Sequence, residues 1–382
     1  MVDFLKGHFV KLKSLVVGAV VAGALAACGG GSSTPTAADS SAQAVPSPTP
    51  SVPPTWSLTG LPSQPGDNAK PILMVKVEND PTVRPQTGLN HADLIFEELV
   101  EGGITRFATV FQSDIPAEIG PVRSIRHVDA SLASPIADIF VFSGGAPKTM
   151  RFVEQKVPAS ITVVTEGGVG MYRSHKHSAP HNVFLKPAKL IASIADNASP
   201  SDGFFVRVDP NKPISAPTTS PSPIPSGSAT PTTAPIVVTP TSKVSIGFSN
   251  FENPVWKWNA DKGLWMRFER STPFLNIDGS QFGTKNLVIL YVKTIDAGYR
   301  DPAGNYVPRS VLTHTGPGYL ITDGKRQKIT WSKEHVADPV TLFDVAGHQV
   351  GLPTGKTWVS LVPVKDGKVK FTTISPSAST TP

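Results

Sequence analysis

Thr105-Arg106-Phe107-Ala108-Thr109-Val110-Phe111-Gln112 is rich in β-branched and aromatic residues and alternates in polarity, which predicts a β-strand. Gly102-Gly103 breaks the chain just ahead of it. The stretch before the break, Leu89 to Val100, has apolar residues at Leu89, Ala92, Leu94, Ile95, Phe96, Leu99 and Val100. Its spacing fits a helix passing into strand at Ile95-Phe96-Glu97-Glu98, and periodicity alone does not choose. Further out, Pro71 to Glu78 reads as a short buried strand stopped by the turn Asn79-Asp80-Pro81. Val122 to Ala133 predicts a helix with Ile125, Val128 and Leu132 on one face. Ile139 to Phe142 and Ile161 to Val164 predict strands, and Pro187 to Ile194 a short helix. Strands and helices alternate, so residues 70–208 are expected to form a mixed α/β or α+β domain.

A second block, residues 243–370, is expected to be smaller and largely antiparallel β. Its strand signals are Val244 to Phe248, Val255 to Trp258, Trp265 to Phe268, Leu287 to Val292, Tyr319 to Thr322 and Trp358 to Val362, punctuated by Asp278-Gly279 and Asp323-Gly324. Its tryptophans suit either core packing, the commoner fate, or a sugar-stacking surface. Between the blocks, residues 209–242 hold nine prolines from Pro210 to Pro240 with much Ser and Thr, the composition of a disordered insert. Residues 28–55 are expected to be a disordered stalk and 371–382 a disordered tail.

The first 27 residues predict a secretion signal: Lys11 and Lys13, an apolar run from Leu15 to Ala24, then Leu25-Ala26-Ala27-Cys28. The run is too short for a bilayer, which needs about 20 residues. Leu-Ala-Ala-Cys resembles the lipobox of bacterial lipoproteins, in which the cysteine is lipidated and becomes the first residue. Each buried methylene of such a lipid contributes roughly 0.8 kcal/mol. Cys28 is the only cysteine, so no disulfide competes for it. The expected location is the extracytoplasmic face of the cell membrane, with the membrane as partner through the anchor. Of the net charge of +6, the signal carries +2 (Lys6, Lys11, Lys13 against Asp3), leaving +4. That balance permits an anionic polymer as partner. No basic stripe with interleaved aromatics points to nucleic acid, and no Gly-rich phosphate loop or dinucleotide fingerprint points to a cofactor.

Five spaced phrases carry a family resemblance: Val77-Glu-Asn-Asp-Pro81, Arg84-Pro-Gln-Thr-Gly-Leu89, Glu97-Glu-Leu-Val-Glu-Gly-Gly-Ile-Thr-Arg-Phe107, Ile119-Gly-Pro-Val-Arg-Ser-Ile-Arg126 and Ala179-Pro-His-Asn182. With Asn286-Leu-Val-Ile289, Gly318-Tyr-Leu-Ile321 and Gly355-Lys-Thr-Trp358 in the second block, they closely resemble the YerB-like lipoproteins, the family of domain of unknown function 3048. The resemblance implies an N-terminal domain followed by a smaller C-terminal one, and names no reaction. His175 and His177 depart from the family's pattern.

The candidate ligand-binding residues are Arg84, Glu98, Arg106, Arg123, Ser124, Arg126, His181 and Asn182. Arginine forks suit carboxylate or phosphate. Gly120 to Arg126 enters the expected helix, whose free amides would favour an anion. The alternative is that the arginines pair with Glu97, Glu98 and Glu101 and hold the fold. Glu97 and Glu98 point to opposite faces on a strand, whereas Glu98 and Glu101 share a face on a helix. His175, His177 and His181 have a spacing zinc accepts, but no metal is assigned. No nucleophile elbow appears, so the catalytic residues are left unknown. The chain reads as a binding or accessory module for an anionic or glycan envelope ligand or a membrane protein. The other reading is an envelope hydrolase or transferase acting on a cell-wall polymer, with Glu98 or His181 as acid or base.

Overall fold

The structure, a computed structural model, describes residues 53–194, 203–205 and 238–373. The signal sequence, Cys28, nearly all of the stalk and most of the Pro-rich insert and tail lie outside the described residues.

The first block supplies strands β1 (Leu73–Glu78), β2 (Leu94–Leu99), β3 (Thr105–Phe111), β4 (Ile139–Val141), β5 (Thr162–Val164), β6 (Met171–Arg173) and β7 (Val183–Leu185). Its helices are α1 (Asp129–Ala133), α2 (Pro147–Lys156) and α3 (Pro187–Ala192). The second block supplies β8 (Val238–Pro240), β9 (Lys243–Gly247), β10 (Pro254–Asn259), β11 (Leu264–Glu269), β12 (Thr272–Pro273), β13 (Gly283–Thr284) and β14 (Asn286–Arg300). It continues with β15 (Tyr306–Val311), β16 (His314–Thr322), β17 (Lys325–Lys333), β18 (Thr341–Phe343), β19 (Gln349–Val350), β20 (Thr357–Pro363) and β21 (Lys368–Thr372). The protein is therefore mostly β, and the helical share of the expected α/β architecture is small.

One large sheet runs through both blocks in the order β19-β18-β17-β16-β14-β20-β2-β3-β1-β4-β5, with β15 on β14 and β8 on β17. The joint is β20, which pairs in parallel with β14 on one side and β2 on the other. A second sheet, β12-β11-β10-β9-β21 with β13 on β11, stands apart. The two faces of the large sheet bury separate cores. One face carries Met74, Phe96, Ala108, Val110, Val288 and Leu361 against Ala130, Leu132 and Ala133 of α1 and Val153 of α2. The other carries Val75, Val77, Phe107, Ile289 and Trp358 against Val244, Ile246, Trp256 and Trp265 of the second sheet. Trp256, Trp265, Trp331 and Trp358 are among the largest fully buried side chains. They pack the core and do not form a sugar-stacking surface.

Leu89 to Val100 resolves as strand from Leu94 on. Both faces of this strand are covered, so its apolar residues run consecutively and blur the period of two. Gly102 and Gly103 both take positive φ (71° and 76°) in the turn to β3, a conformation glycine adopts at little cost. The helix expected over Val122 to Ala133 shrinks to Asp129–Ala133. The preceding amides are drawn away: Val122 N donates to Val183 O (2.7 Å), Arg123 N to Lys76 O (2.9 Å) and Ile125 N to Gly144 O (2.9 Å). Ahead of residue 243, within the expected insert, Val238–Pro240 pairs with β17.

Candidate functional site: a buried charge cluster at the end of the large sheet

Arg106 lies at the start of β3, opposite Glu78 of β1 and Glu98 of β2. Residues paired across strands share a face, so these three point to the helix-covered side, and Lys76 joins them two residues before Glu78. The irregular segment 119–128 crosses this end of the sheet and delivers Arg123, Ser124 and Arg126.

Most charges here are partnered. The Lys76 ammonium is fully buried, donates to Glu98 and lies 2.8 Å from Asp129 Oδ1. Asp129 Oδ2 accepts from the Arg126 amide at 2.7 Å. Arg126 grips Glu101, with Nε to Oε2 at 3.1 Å, and donates from Nη1 to Ile125 O at 2.7 Å. Arg123 Nε stands 3.0 Å from Glu78 Oε1, and Nη1 donates to Pro180 O at 2.7 Å. His181 Nδ1 lies 2.9 Å from the other Glu78 oxygen. The helix starts only at Asp129, and the amides of Gly120, Val122, Arg123, Ile125 and Arg126 already donate to protein oxygens.

Arg106 differs. It is 7% exposed. Among the described residues its one hydrogen bond, from Nη1, goes to Ser124 O at 3.1 Å, and its Nε finds no partner. Among the described residues no carboxylate forms an ion pair with it. Burial, then the charges of Arg126 and Arg123, push its pKa down to about 9. Close by, burial pushes Glu98 up to about 7 despite the Lys76 ammonium. Lys76, Arg106, Arg123 and Arg126 thus face Glu78, Glu98, Glu101 and Asp129, four against four. A proton on Glu98 leaves one positive charge over.

The structure gathers Glu98, Arg106, Arg123, Arg126, His181 and the Ser124 carbonyl at this end. It separates two other candidates. Arg84 belongs to the opposite face, where it donates to Asn79 Oδ1 (3.0 Å), Asn79 O (2.9 Å) and Glu252 Oε2 (3.2 Å). Asn182 accepts from the exposed Arg173 at 2.6 Å. The three histidines do not converge: His177 stacks on Phe184 at 5.4 Å while His181 pairs with Glu78, and no metal-holding cluster occurs among the described residues. Sequence reasoning missed Lys76, Glu78 and Asp129. A lysine between Val75 and Val77 in a wholly buried strand was the available signal, because such a lysine needs a buried carboxylate.

A second buried cluster lies on the other face. Arg267 is fully buried and pairs with Glu97 and Glu269, and its guanidinium sits 4.4 Å from the Trp358 ring centre. Burial opposes its charge, but Glu97 and Glu269 outweigh that and hold its pKa above the ordinary value. Glu252 is pushed up to about 8 by burial and by the Glu269 and Glu97 charges.

The family described as "Protein of unknown function (DUF3048) N-terminal domain" matches residues 58–201, and its C-terminal domain matches residues 244–359. "Putative lipoprotein YerB" of Bacillus subtilis (strain 168) is 35% identical over 127 residues, which are 33% of this chain and 38% of that protein. The aligned region therefore spans well under half of that relative. The crystal structure of YerB protein from Bacillus subtilis superposes with a TM-score of 0.65 over 83% of this chain and 99% of that one, at 21% identity. That likeness is one of fold.

Proposed function

Since the chain belongs to the DUF3048 family and carries its N- and C-terminal domains in order, we propose that it is a lipid-anchored extracytoplasmic protein of the cell envelope that captures an anionic group at Arg106. The lipobox at Cys28 and the lipoprotein name of the Bacillus relative support the anchor. No helix of the described residues is long and apolar enough to cross a membrane.

The observation that carries the binding reading is the Arg106 guanidinium, which is buried near two further arginines, leaves its Nε without a hydrogen bond and forms no ion pair among the described residues, Glu101 and Glu78 acting on it only from further off. A buried cation without a counterion is costly, and a phosphate or carboxylate from a ligand would supply one, as a fork donor is suited to do. The test is thermal melting with inorganic phosphate and sulfate. The parent gains stability from either anion, and Arg106→Met, which keeps much of the volume, loses that gain while folding normally. A parent indifferent to both anions, together with a badly destabilised Arg106→Met, overturns the reading.

One feature favours the enzymatic alternative, a hydrolase or transferase acting on a wall polymer. Burial pushes Glu98 up to about 7 beside a cationic site, a range suited to a general acid. Hydrolysis of a wall preparation that disappears in Glu98→Gln while phosphate binding persists would select that reading.

A further inference from the structure

We propose that a second site, the basic groove between the β9–β10–β21 sheet and the β14–β15 hairpin, binds a polyanionic glycan. The groove has a volume of about 1340 Å³ and is independent of the Arg106 site. Glu101 reaches Arg126, whereas the neighbouring Gly102 and Gly103 line the groove.

The pairing of β21 with β9 builds its floor. Lys368 stands opposite Gly247 and Lys370 opposite Ser245. Paired residues share a face, so two long cations rise beside two positions with almost no side chain. The alternate residues Val369 and Phe371 pack against the core on the reverse side. Arg270 and Lys365 complete the basic lining, and among the described residues Asp366 is its one carboxylate. All four cations are exposed, and among the described residues none forms an ion pair. Four unpaired cations in one concavity concentrate an anion more strongly than the same charges spread on a convex surface.

The remaining chemistry narrows the ligand. Asn250 offers a side-chain amide, Asn253 and Asn305 offer amide oxygens while their Nδ2 groups donate to Asn250 O (3.3 Å) and Asp301 Oδ2 (2.9 Å), and Tyr306, 44% exposed with the Arg300 guanidinium 5.5 Å from its ring centre, offers the rest of its ring. Amides and one ring suit sugar hydroxyls and a pyranose face. Single-stranded nucleic acid is held on successive stacked aromatics, and among the described residues the other aromatic of the lining, Phe248, is buried. A flat membrane does not enter a concave groove. The chemical class is thus a sugar chain bearing repeated phosphate, sulfate or carboxylate groups.

The test uses the full chain and dextran sulfate as probe, with neutral dextran, polyglutamate and oligodeoxythymidine as comparators. Dextran sulfate is expected to bind at least tenfold more tightly than each comparator. Lys368→Gln/Lys370→Gln should weaken it at least tenfold, and Tyr306→Ala should weaken dextran sulfate but not polyglutamate. Lys325→Gln/Lys328→Gln, which removes two exposed cations from β17 outside the groove, should change nothing. Equal losses in the two double variants, no loss in the groove variant, or polyglutamate or oligodeoxythymidine binding as tightly as dextran sulfate each overturn the proposal. If the first double variant does not fold, Arg270→Gln/Lys365→Gln probes the same groove. Melting the groove variant with inorganic phosphate separates failure here from failure at Arg106, since the parent's phosphate response should persist.

Discussion

Arg267 holds Glu97 in a fork-to-fork pair, Nη1 to Oε2 at 2.8 Å and Nη2 to Oε1 at 2.9 Å, across 170 residues of sequence. Both side chains are fully buried. The Trp358 indole donates to the same carboxylate at 3.0 Å, and the Thr105 hydroxyl does so at 2.9 Å. The second sheet is therefore fastened to the large one by a charge pair with its hydrogen-bonding capacity filled, the condition under which a buried pair is tolerated.

Removing half of that pair strands the other charge. Glu97→Ala should cost roughly 3–5 kcal/mol of unfolding free energy, read from urea titrations. Glu97→Leu/Arg267→Met should recover a substantial part of the loss. A single variant within about 0.5 kcal/mol of the parent, the range of ordinary surface changes, would refute the fastening role.

Glu252 makes stability depend on pH. Its folded pKa, about 8, lies above the ordinary carboxyl value of 4.5. Between those values the unfolded chain has released the proton and the folded protein keeps it, so stability falls as pH rises through the window and levels off above it. Glu98, raised to about 7, adds to the same fall. Glu252→Gln should flatten the profile and exceed the parent by on the order of 2 kcal/mol at pH 8.5. Urea unfolding at pH 5 and pH 8.5 measures this, and an unchanged slope would refute it.

Arg126 and Arg106 should respond in opposite ways. Arg126→Ala strands Glu101 and removes donors from two backbone carbonyls, so a loss of about 3 kcal/mol is expected. Arg106→Met relieves crowded positive charge and should stay within about 1 kcal/mol of the parent. Calorimetric melting of the two side by side decides it. Equal destabilisation would make Arg106 part of the scaffold.

Gly318 sits where β16 passes β14, and a Cβ there would meet Ile289 O at 2.3 Å. The obstacle is backbone and cannot swing aside. Gly318→Ala should cost at least about 2 kcal/mol through overpacking, whereas Gly304→Ala, in open space, should cost less despite its positive φ. A similar melting temperature for the two would contradict the steric account.

Cys28→Ser should abolish incorporation of labelled palmitate and release the protein from the membrane fraction. Retained label would place the lipid on another residue.

Local signals carried the strands well. Leu73–Glu78 and Thr105–Phe111 form where the alternation and the turn residues placed them. What failed were features decided by distant partners. Val122 to His127 looked helical because its apolar spacing is right, yet Lys76, Gly144 and Val183 take its amides. The α2 helix, Pro147–Lys156, escaped notice because few of its positions are apolar. At the site, the arginines and Glu98 were legible as side chains suited to anions. Which arginine lacks a counterion was not, because Glu78, Glu101 and Asp129 reach the cluster from three separate segments. The Glu97–Arg267 pair left no local trace for the same reason.

The insertion of β20 between β14 and β2 has a consequence for how the chain matures. Synthesis runs from the N terminus, and Trp358 meets Glu97 across 261 residues. Until Thr357–Pro363 emerges, β2 and β14 each present a bare strand edge, the kind of surface that recruits other chains. Pairings of such separation form slowly. The final closing step therefore belongs to the last segments made, and a nascent chain halted before Thr357 should remain protease-sensitive in both blocks, with neither half mature before the other.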